Sequence, residues 1–297
     1  MRVAIVGTAH VHAADYAAVC EGRPGTTLVG IAAPDPGSPF RFPPDVPVVA
    51  EPAVLIPHDL AVVTVDARSQ ESVIPSLRAP HLFVEKPLGA DRGARERLAV
   101  HLAARGGTTS LGFFLRHGPA PCAMAEAVRG GRRLRELRLR FAHDGLRAGW
   151  LEAWPAHLSP ERMGYGAFGD LGIHLLDAAT LVAGPLAPEA CRLRHRADGL
   201  ETGGSARLAG PNGVAVHLEV DAAATEACLT VEAKFEDGTL TCGGRLGPPG
   251  TGAGGLPDPA SGFSTVLDAL ERGEPPGGAI LSDAVAAGRL LDAVLAT

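Results

Sequence analysis

Lysine is nearly absent from this chain. Of its 27 basic residues only Lys86 and Lys234 are lysines, and arginine supplies the rest. That bias, with abundant Ala, Gly and Pro, is the mark of a high-GC coding sequence and carries no chemistry of its own. It does single out each lysine that remains. A basic excess is also lacking: the net charge is -6, with 20% charged residues. Nothing here attracts nucleic acid or an anionic membrane, so small molecules are the expected partners. Cys20, Cys122, Cys191, Cys228 and Cys242 form no C-x-x-C pair and are odd in number. Reduced thiols are expected from them, with neither a disulfide framework nor a zinc cluster. No apolar run, the stretch 60–65 included, approaches the about 20 residues of a bilayer span. The N-terminal apolar run is too short for a signal peptide, and a cytoplasmic protein is expected. There is no internal repeat.

What is present reads as two domains. A chain of 297 residues with 46% hydrophobic residues can bury roughly three quarters of its unfolded surface. Short continuous apolar runs recur through the first third: RVAIV (2–6), TLVGIAA (27–33), VPVV (46–49), DLAVVTV (59–65), HLFVE (81–85) and TTSLGFF (108–114). Such runs predict parallel strands buried on both faces. Helices are predicted over 10–20 and 90–105, which makes residues 1–117 a doubly wound, Rossmann-type α/β domain. Segment 34–47 holds six prolines and should be an extended loop. Beyond it, residues 118–297 predict an α+β domain with an open, mainly antiparallel sheet. Its signals are a helix over 119–131, a half-exposed strand at LRELRLRFAHDG, a helix over 169–184, and hairpins turning on Asn212-Gly213 and Asp237-Gly238. A Gly/Pro-rich loop at 243–259 and an amphipathic C-terminal helix, free to pack back on the first domain, complete it.

The first candidate site is the turn in RVAIVGTAHVHAADY. A dinucleotide fingerprint is G-x-G-x-x-G, whereas residues 7–12 read G-T-A-H-V-H. Gly7 is kept and Ala9 stands for the middle glycine. A strand-to-helix turn still offers backbone N–H groups and a positive dipole end, so Gly7, Thr8, Ala9, His10 and Val11 are candidates to hold a pyrophosphate. His10 and His12 also form an H-x-H pair of the kind that begins many metal-dependent hydrolases. If the helix begins at residue 10, the two lie about 200° apart around its axis and cannot share a metal. A structural role remains the third reading.

Lys86 follows a buried strand in LFVEKPLG. The carboxyl end of a parallel strand is the rim where such sheets bind ligands, and Pro87 biases the lysine's backbone toward extended geometry. In G-D-L-G-I-H-L-L-D (169–177), Asp170 and His174 are four apart and share a helix face. A carboxylate beside an imidazole raises the ring's pKa and orients it, as a general acid/base requires. The plainer readings are a solvated lysine and a helix-capping Asp170 with a His174 satisfied in the core.

GTAHVHAADY, LFVEKPLG, GFFLRHGPA (112–120) and GYGAFGDLGIHLLDAATLVAG, in this order and spacing, resemble the glucose-fructose oxidoreductase / inositol dehydrogenase / MocA (Gfo/Idh/MocA) family of NAD(P)-dependent oxidoreductases. The resemblance runs over most of the chain. It implies a Rossmann domain, NAD or NADP as cofactor, a sugar, aminosugar or cyclitol substrate, and a homo-oligomer formed through the open sheet. It matches Lys86 to the active-site lysine and Asp170 and His174 to the catalytic helix. Glu85 and Lys86 join the cofactor-binding candidates. Arg116, His117, Trp154, His157 and Tyr165, with His174, are candidates for substrate contacts.

The sequence departs from that family after the second strand. The aligned ribose-binding acid is replaced by Ala33, with Asp35 two residues on and Arg41 further along, so the choice of NAD or NADP stays open. Two other readings stand beside the oxidoreductase: a metal-dependent hydrolase using His10, His12 and His174, and a non-catalytic nucleotide-binding member of the fold.

Overall fold

In a computed structural model, residues 1–56, 58–246, 254, 256–275 and 280–297 are described. Two units emerge, neither continuous in sequence. The first comprises Met1–Gly112, Leu151–Gly164 and Pro259–Val285; the second comprises Phe113–Trp150, Tyr165–Asp258 and Ala286–Thr297. Each recruits chain from beyond the boundary read at residue 117.

The first unit carries a six-stranded, wholly parallel sheet in the order β3-β2-β1-β4-β5-β6. Its strands are β1 (Arg2–Val6), β2 (Thr27–Ala32), β3 (Val48–Val49), β4 (Leu60–Val63), β5 (His81–Val84) and β6 (Thr108–Leu111). This is the doubly wound dinucleotide order, whose topology reverses beside β1. Val3 to Val6 and Leu60 to Val63 are at most 1% exposed, which explains why these strands read as unbroken apolar runs. Helices α1 (Ala13–Gly22), α2 (Gln70–Val73) and α3 (Arg92–Ala104) accompany the strands.

The proline-rich segment 34–47 forms neither helix nor strand. It sends Phe40 into the core around Ile5, Tyr16 and Ile31, so one aromatic anchor serves where a crossover helix would otherwise pack.

The second unit holds α4 (Pro119–Arg129), β7 (Leu134–Ala142) and α5 (Gly145–Ala148), while α6 (Pro160–Met163) belongs to the first. It continues with α7 (Ala167–Ala183), β8 (Ala187–His195), β9 (Glu201–Ala209), β10 (Ala215–Asp221), β11 (Cys228–Phe235) and β12 (Gly238–Arg245). Its sheet order is β12-β11-β7-β10-β9-β8, and β7 with β10 is its one parallel pair. The fold class read from the sequence is borne out: a Rossmann-type parallel sheet, and a second, mainly antiparallel one.

One face of the second sheet packs against α7 through Leu137, Leu139, Val216 and Leu218, all at most 2% exposed. Each such side chain contributes roughly 1.5–3 kcal/mol by burial. The other face carries Arg138, Arg140, Arg207, His217, Glu219 and Glu232 around a broad depression of about 870 Å³.

Helix α8 (Pro259–Glu271) lies in the first unit, where Phe263, Val266 and Leu267 pack against α1, and α9 (Leu281–Leu295) ends the chain. Both hairpins turn where the sequence placed them. Residues 247–253 and 255 of the Gly/Pro-rich stretch lie outside the described residues. Among the described residues, only the stretch Pro160–Ala183 meets the length and composition of a membrane-crossing helix, and it is broken between α6 and α7. Since 72% of its most apolar 18-residue window is buried inside the protein, its apolarity is that of a core element.

Candidate functional site

In the first unit the β1–α1 turn is built around Gly7, which has φ of 91° and donates its N–H to Ala32 O at 2.8 Å. A Cβ at Gly7 would stand 2.4 Å from Val65 N, so glycine is required twice over. Thr8 is fully buried, and its Oγ1 accepts from the Asp35 N–H at 2.9 Å. That bond ties the turn to the end of β2, where Ala33 sits in the left-handed region with φ of 46°. Ala9 packs against Ala156 and Met163 of segment Leu151–Gly164.

The helix begins at Ala13, with His12 as its N-cap, so the 200° separation argued for His10 and His12 does not apply. Their ring centroids are 5.0 Å apart, and that of His157 is 4.8 Å from His10. The rings are nevertheless spoken for. His10 Nδ1 accepts the His12 N–H at 3.3 Å, which places the ring proton on Nε2, 3.5 Å from Glu85 Oε2. His12 Nδ1 lies 2.9 Å from Asp15 Oδ2. His157 Nε2 accepts the Val11 N–H at 3.3 Å. Among the described residues no group of three or more His, Cys, Asp or Glu could hold a metal ion, so His10, His12 and His174 do not form such a group.

Lys86 is only 2% exposed, at the end of β5, not a solvated strand-end residue. Gln70, also buried, braces its backbone: Nε2 donates to Glu85 O and Pro87 O, each at 3.1 Å, and Oε1 accepts from Gly89 N at 2.9 Å. The Glu85 carboxylate is held internally by the Tyr16 hydroxyl, and by the Lys86 N–H at 3.0 Å. A buried carboxylate needs such donors. Sequence reasoning missed Gln70 and Tyr16. It also missed Asp66 and Arg162: the Arg162 guanidinium pairs with Asp35, and reaches Asp66 Oδ2 at 2.7 Å. Asp66 had a signal, since it ends the run DLAVVTVD; Arg162, in a short turn, had none. Trp154 packs at the edge of the first unit's core.

In the second unit α7 places Asp170 in its first turn and His174 one turn later. The N-terminus of α7 is closed by Glu201, whose Oε1 accepts from Phe168 N at 2.6 Å. His174 is 2% exposed, its ring centroid 4.6, 6.0 and 6.2 Å from those of Phe114, Phe113 and Phe141. Asp177 is buried and accepts from Arg116 Nε at 2.8 Å, so this substrate candidate has a structural commitment. Tyr165 donates to Asp292 of α9 at 2.8 Å.

His117 has a consequence for pH. Burial, helped by the Arg116 charge, pushes its imidazole down to about 4, against about 6.5 when unfolded. Between these values the unfolded chain takes up a proton that the folded chain refuses. Its stabilising effect is therefore complete above pH 6.5 and lost as the pH falls toward 4, by on the order of 2 kcal/mol. His81, also lowered by burial, acts in the same direction. Urea unfolding at pH 7 and pH 5 should show the loss, and His117→Gln should flatten it. An unchanged slope in that variant would exclude His117 as the source.

Residues 123–241 match the family model described as GFO/IDH/MocA C-terminal domain. That stretch, 119 of the chain's 297 residues, is similar to this domain. The resemblance read in the motifs is thereby borne out, with α7, His174 and the sheet from β7 to β11 inside that domain. No curated protein sequence matches the chain. Solved structures do, over its full length. GenD2 of gentamicin A biosynthesis, solved with NAD, is 22% identical with a TM-score of 0.73, covering 100% of this chain and 93% of its own. KijD10, a 3-ketoreductase from Actinomadura kijaniata solved with NADP and TDP-benzene, is 23% identical with a TM-score of 0.73, covering 100% and 97%. An oxidoreductase from Agrobacterium radiobacter, solved with NAD+, L-tartaric acid and magnesium, is 15% identical with a TM-score of 0.79, covering 100% and 95%. At these identities the likeness extends the shared fold beyond the GFO/IDH/MocA domain to the whole chain.

Proposed function

We propose that this protein is an NAD(P)-dependent oxidoreductase acting on a hydroxyl or keto group of a sugar, aminosugar or cyclitol. The observation that carries the reading is the all-parallel sheet with a glycine-bearing turn where its order reverses, and a buried lysine two strands along. The residues fit a dinucleotide. Gly7 lets the turn run hard against Val65, where a Cβ would clash with backbone, and Asp35 stands beyond β2, tied to the same turn through Thr8. Gly7, Thr8, Ala9, His10 and Val11 would hold the pyrophosphate, which would take the Val11 N–H in place of His157. Ala33 and Asp35 would border the adenosine.

Oxidising a secondary alcohol removes a proton from oxygen and a hydride from carbon, and bound nicotinamide supplies the hydride acceptor. His174 is the candidate to take the proton and, in the reverse direction, to return it. The Lys86 ammonium would stabilise the developing oxyanion. Asp170 would orient His174 or accept a hydrogen bond from a neighbouring hydroxyl. Arg116, His117, Trp154, His157 and Tyr165 stay as substrate candidates. The polar face of the second sheet is our candidate for self-association, which light scattering reads as a mass above 30.5 kDa.

The deciding experiment is titration with NADH and NADPH, metal analysis, and a screen of polyols and ketosugars at the reduced-nicotinamide absorbance. Binding of at least one nucleotide with turnover of one such substrate is expected. Stoichiometric metal with no nucleotide binding would overturn the reading.

A further inference from the structure

Asp35 and Asp66 stand just beyond the C-terminal ends of β2 and β4, the strands that flank β1. Between them lies one guanidinium, that of Arg162, brought in by segment Leu151–Gly164. Arg162 Nη2 pairs with Asp35 Oδ2 and, at 2.7 Å, with Asp66 Oδ2; its Nε lies 3.1 Å from the same Asp66 oxygen. The carboxylates are held from their other sides too. Asp35 Oδ1 accepts from Gly37 N at 2.8 Å, and Asp66 Oδ1 from Ser69 N and Oγ, each at 3.0 Å. The Asp35 and Asp66 side chains are 13% and 8% exposed, and that of Arg162 is 33% exposed. Two carboxylates against one guanidinium leave this corner with a net negative charge. Arg68 lies alongside: its backbone N–H bonds Arg162 O at 2.9 Å, and its guanidinium donates to the Glu161 carbonyl rather than to either acid.

A carboxylate beyond the second strand of such a sheet takes a ribose hydroxyl, whereas an arginine in that position accepts a 2′-phosphate. Here both are present, and the arginine is committed to the acids. We propose that Arg162 is a specificity-determining residue of the dinucleotide site. Clamped between Asp35 and Asp66, it fixes Asp35 for the ribose and is withheld from a 2′-phosphate, so NAD is taken in preference to NADP. The inference rests on the oxidoreductase reading and adds to it the choice of cofactor. The clamp also explains why the missing acid at Ala33 does not leave the adenosine unread: Asp35 replaces it, steadied by an arginine from more than a hundred residues away.

The physical basis of the preference is charge. A dianionic 2′-phosphate beside the cluster must either face an uncompensated carboxylate or pull Arg162 from its partners, and like-charge juxtaposition costs enough to give about 10–100-fold discrimination. The test is calorimetric titration of the intact protein with NADH and NADPH at fixed ionic strength. NADH should bind at least about tenfold more tightly. Asp35→Ser, which removes one of Arg162's two acids and leaves it held by Asp66 alone, should move the ratio toward NADPH by about tenfold or more, and adding Arg162→Ala to it should abolish that gain. Asp66→Asn, which neutralises the cluster while keeping Asp35, should narrow the preference and serves if Asp35→Ser does not fold. Wild-type protein that binds both nucleotides with NADPH equal or tighter overturns the inference alone. So does an NADPH gain that survives Arg162→Ala, or a ratio unmoved by Asp66→Asn. Failure of the wild type to bind either nucleotide overturns the oxidoreductase reading together with it.

Discussion

Replacing Lys86 by methionine is expected to lower kcat by about 10²–10³-fold while leaving the affinity for reduced nicotinamide nucleotide nearly unchanged. Lys86 is 2% exposed and its backbone is gripped on both sides by Gln70. A donor held this rigidly needs no reorganisation when charge develops on a substrate oxygen, which is why losing one donor of this type costs orders of magnitude in rate. Methionine keeps the length and apolar volume of the stem, so packing is spared and the loss can be assigned to charge. Lys86→Ala should show the same fall in rate with an added loss of thermal stability. The measurement is steady-state kinetics on whichever polyol or ketosugar turns over, beside nucleotide titration and thermal unfolding. A normal kcat with only KM raised would remove Lys86 from the chemistry and leave it a binding residue.

Gly7→Ala should damage the fold itself. The φ of 91° lies where a side chain costs about 1–3 kcal/mol. The added Cβ would meet Val65 N at 2.4 Å and Val65 Cα at 2.6 Å, and backbone cannot swing aside as a side-chain tip can. Overpacking adds about 1–3 kcal/mol. The sum, roughly 2–6 kcal/mol, predicts a Tm lower by about 10 °C. Gly22→Ala, where nothing lies within 4 Å of the new Cβ, is the matched control and should be neutral or mildly stabilising. Equal melting temperatures for the two variants would mean that the turn does not need its glycine.

How far the sequence could be read follows from burial. Strands β1, β4 and β5 announce themselves because both faces are covered and their residues are uniformly apolar. Edge strand β8 (Ala187–His195) was missed; every one of its residues is exposed or half-buried and it includes Pro188, so neither alternation nor an apolar run marks it. Helix α8 was hidden by its opening Pro-Ala-Ser-Gly. Gly7 and Lys86 were legible because each sits at a strand end, where the chain has little freedom. Residues supplied from far along the chain were not. No local pattern says that Arg162 meets Asp35, or that His157 takes the Val11 N–H. The H-x-H argument used the wrong backbone at residues 10–12: the helix starts at Ala13, and His10 Nδ1 and His12 Nδ1 each have a partner within the chain.

The discontinuity of the first unit has a consequence for the order in which the chain is made. Residues 1–112 leave the ribosome with all six parallel strands, yet Tyr16 and Phe83 lack their cover until Phe263 of α8 arrives to pack against both, 4.9 and 5.1 Å from their ring centroids. At about 5–20 residues per second that wait is roughly 10–30 s. Throughout it the nascent sheet has an apolar flank open to water, and the second unit must be synthesised almost whole before the first can close.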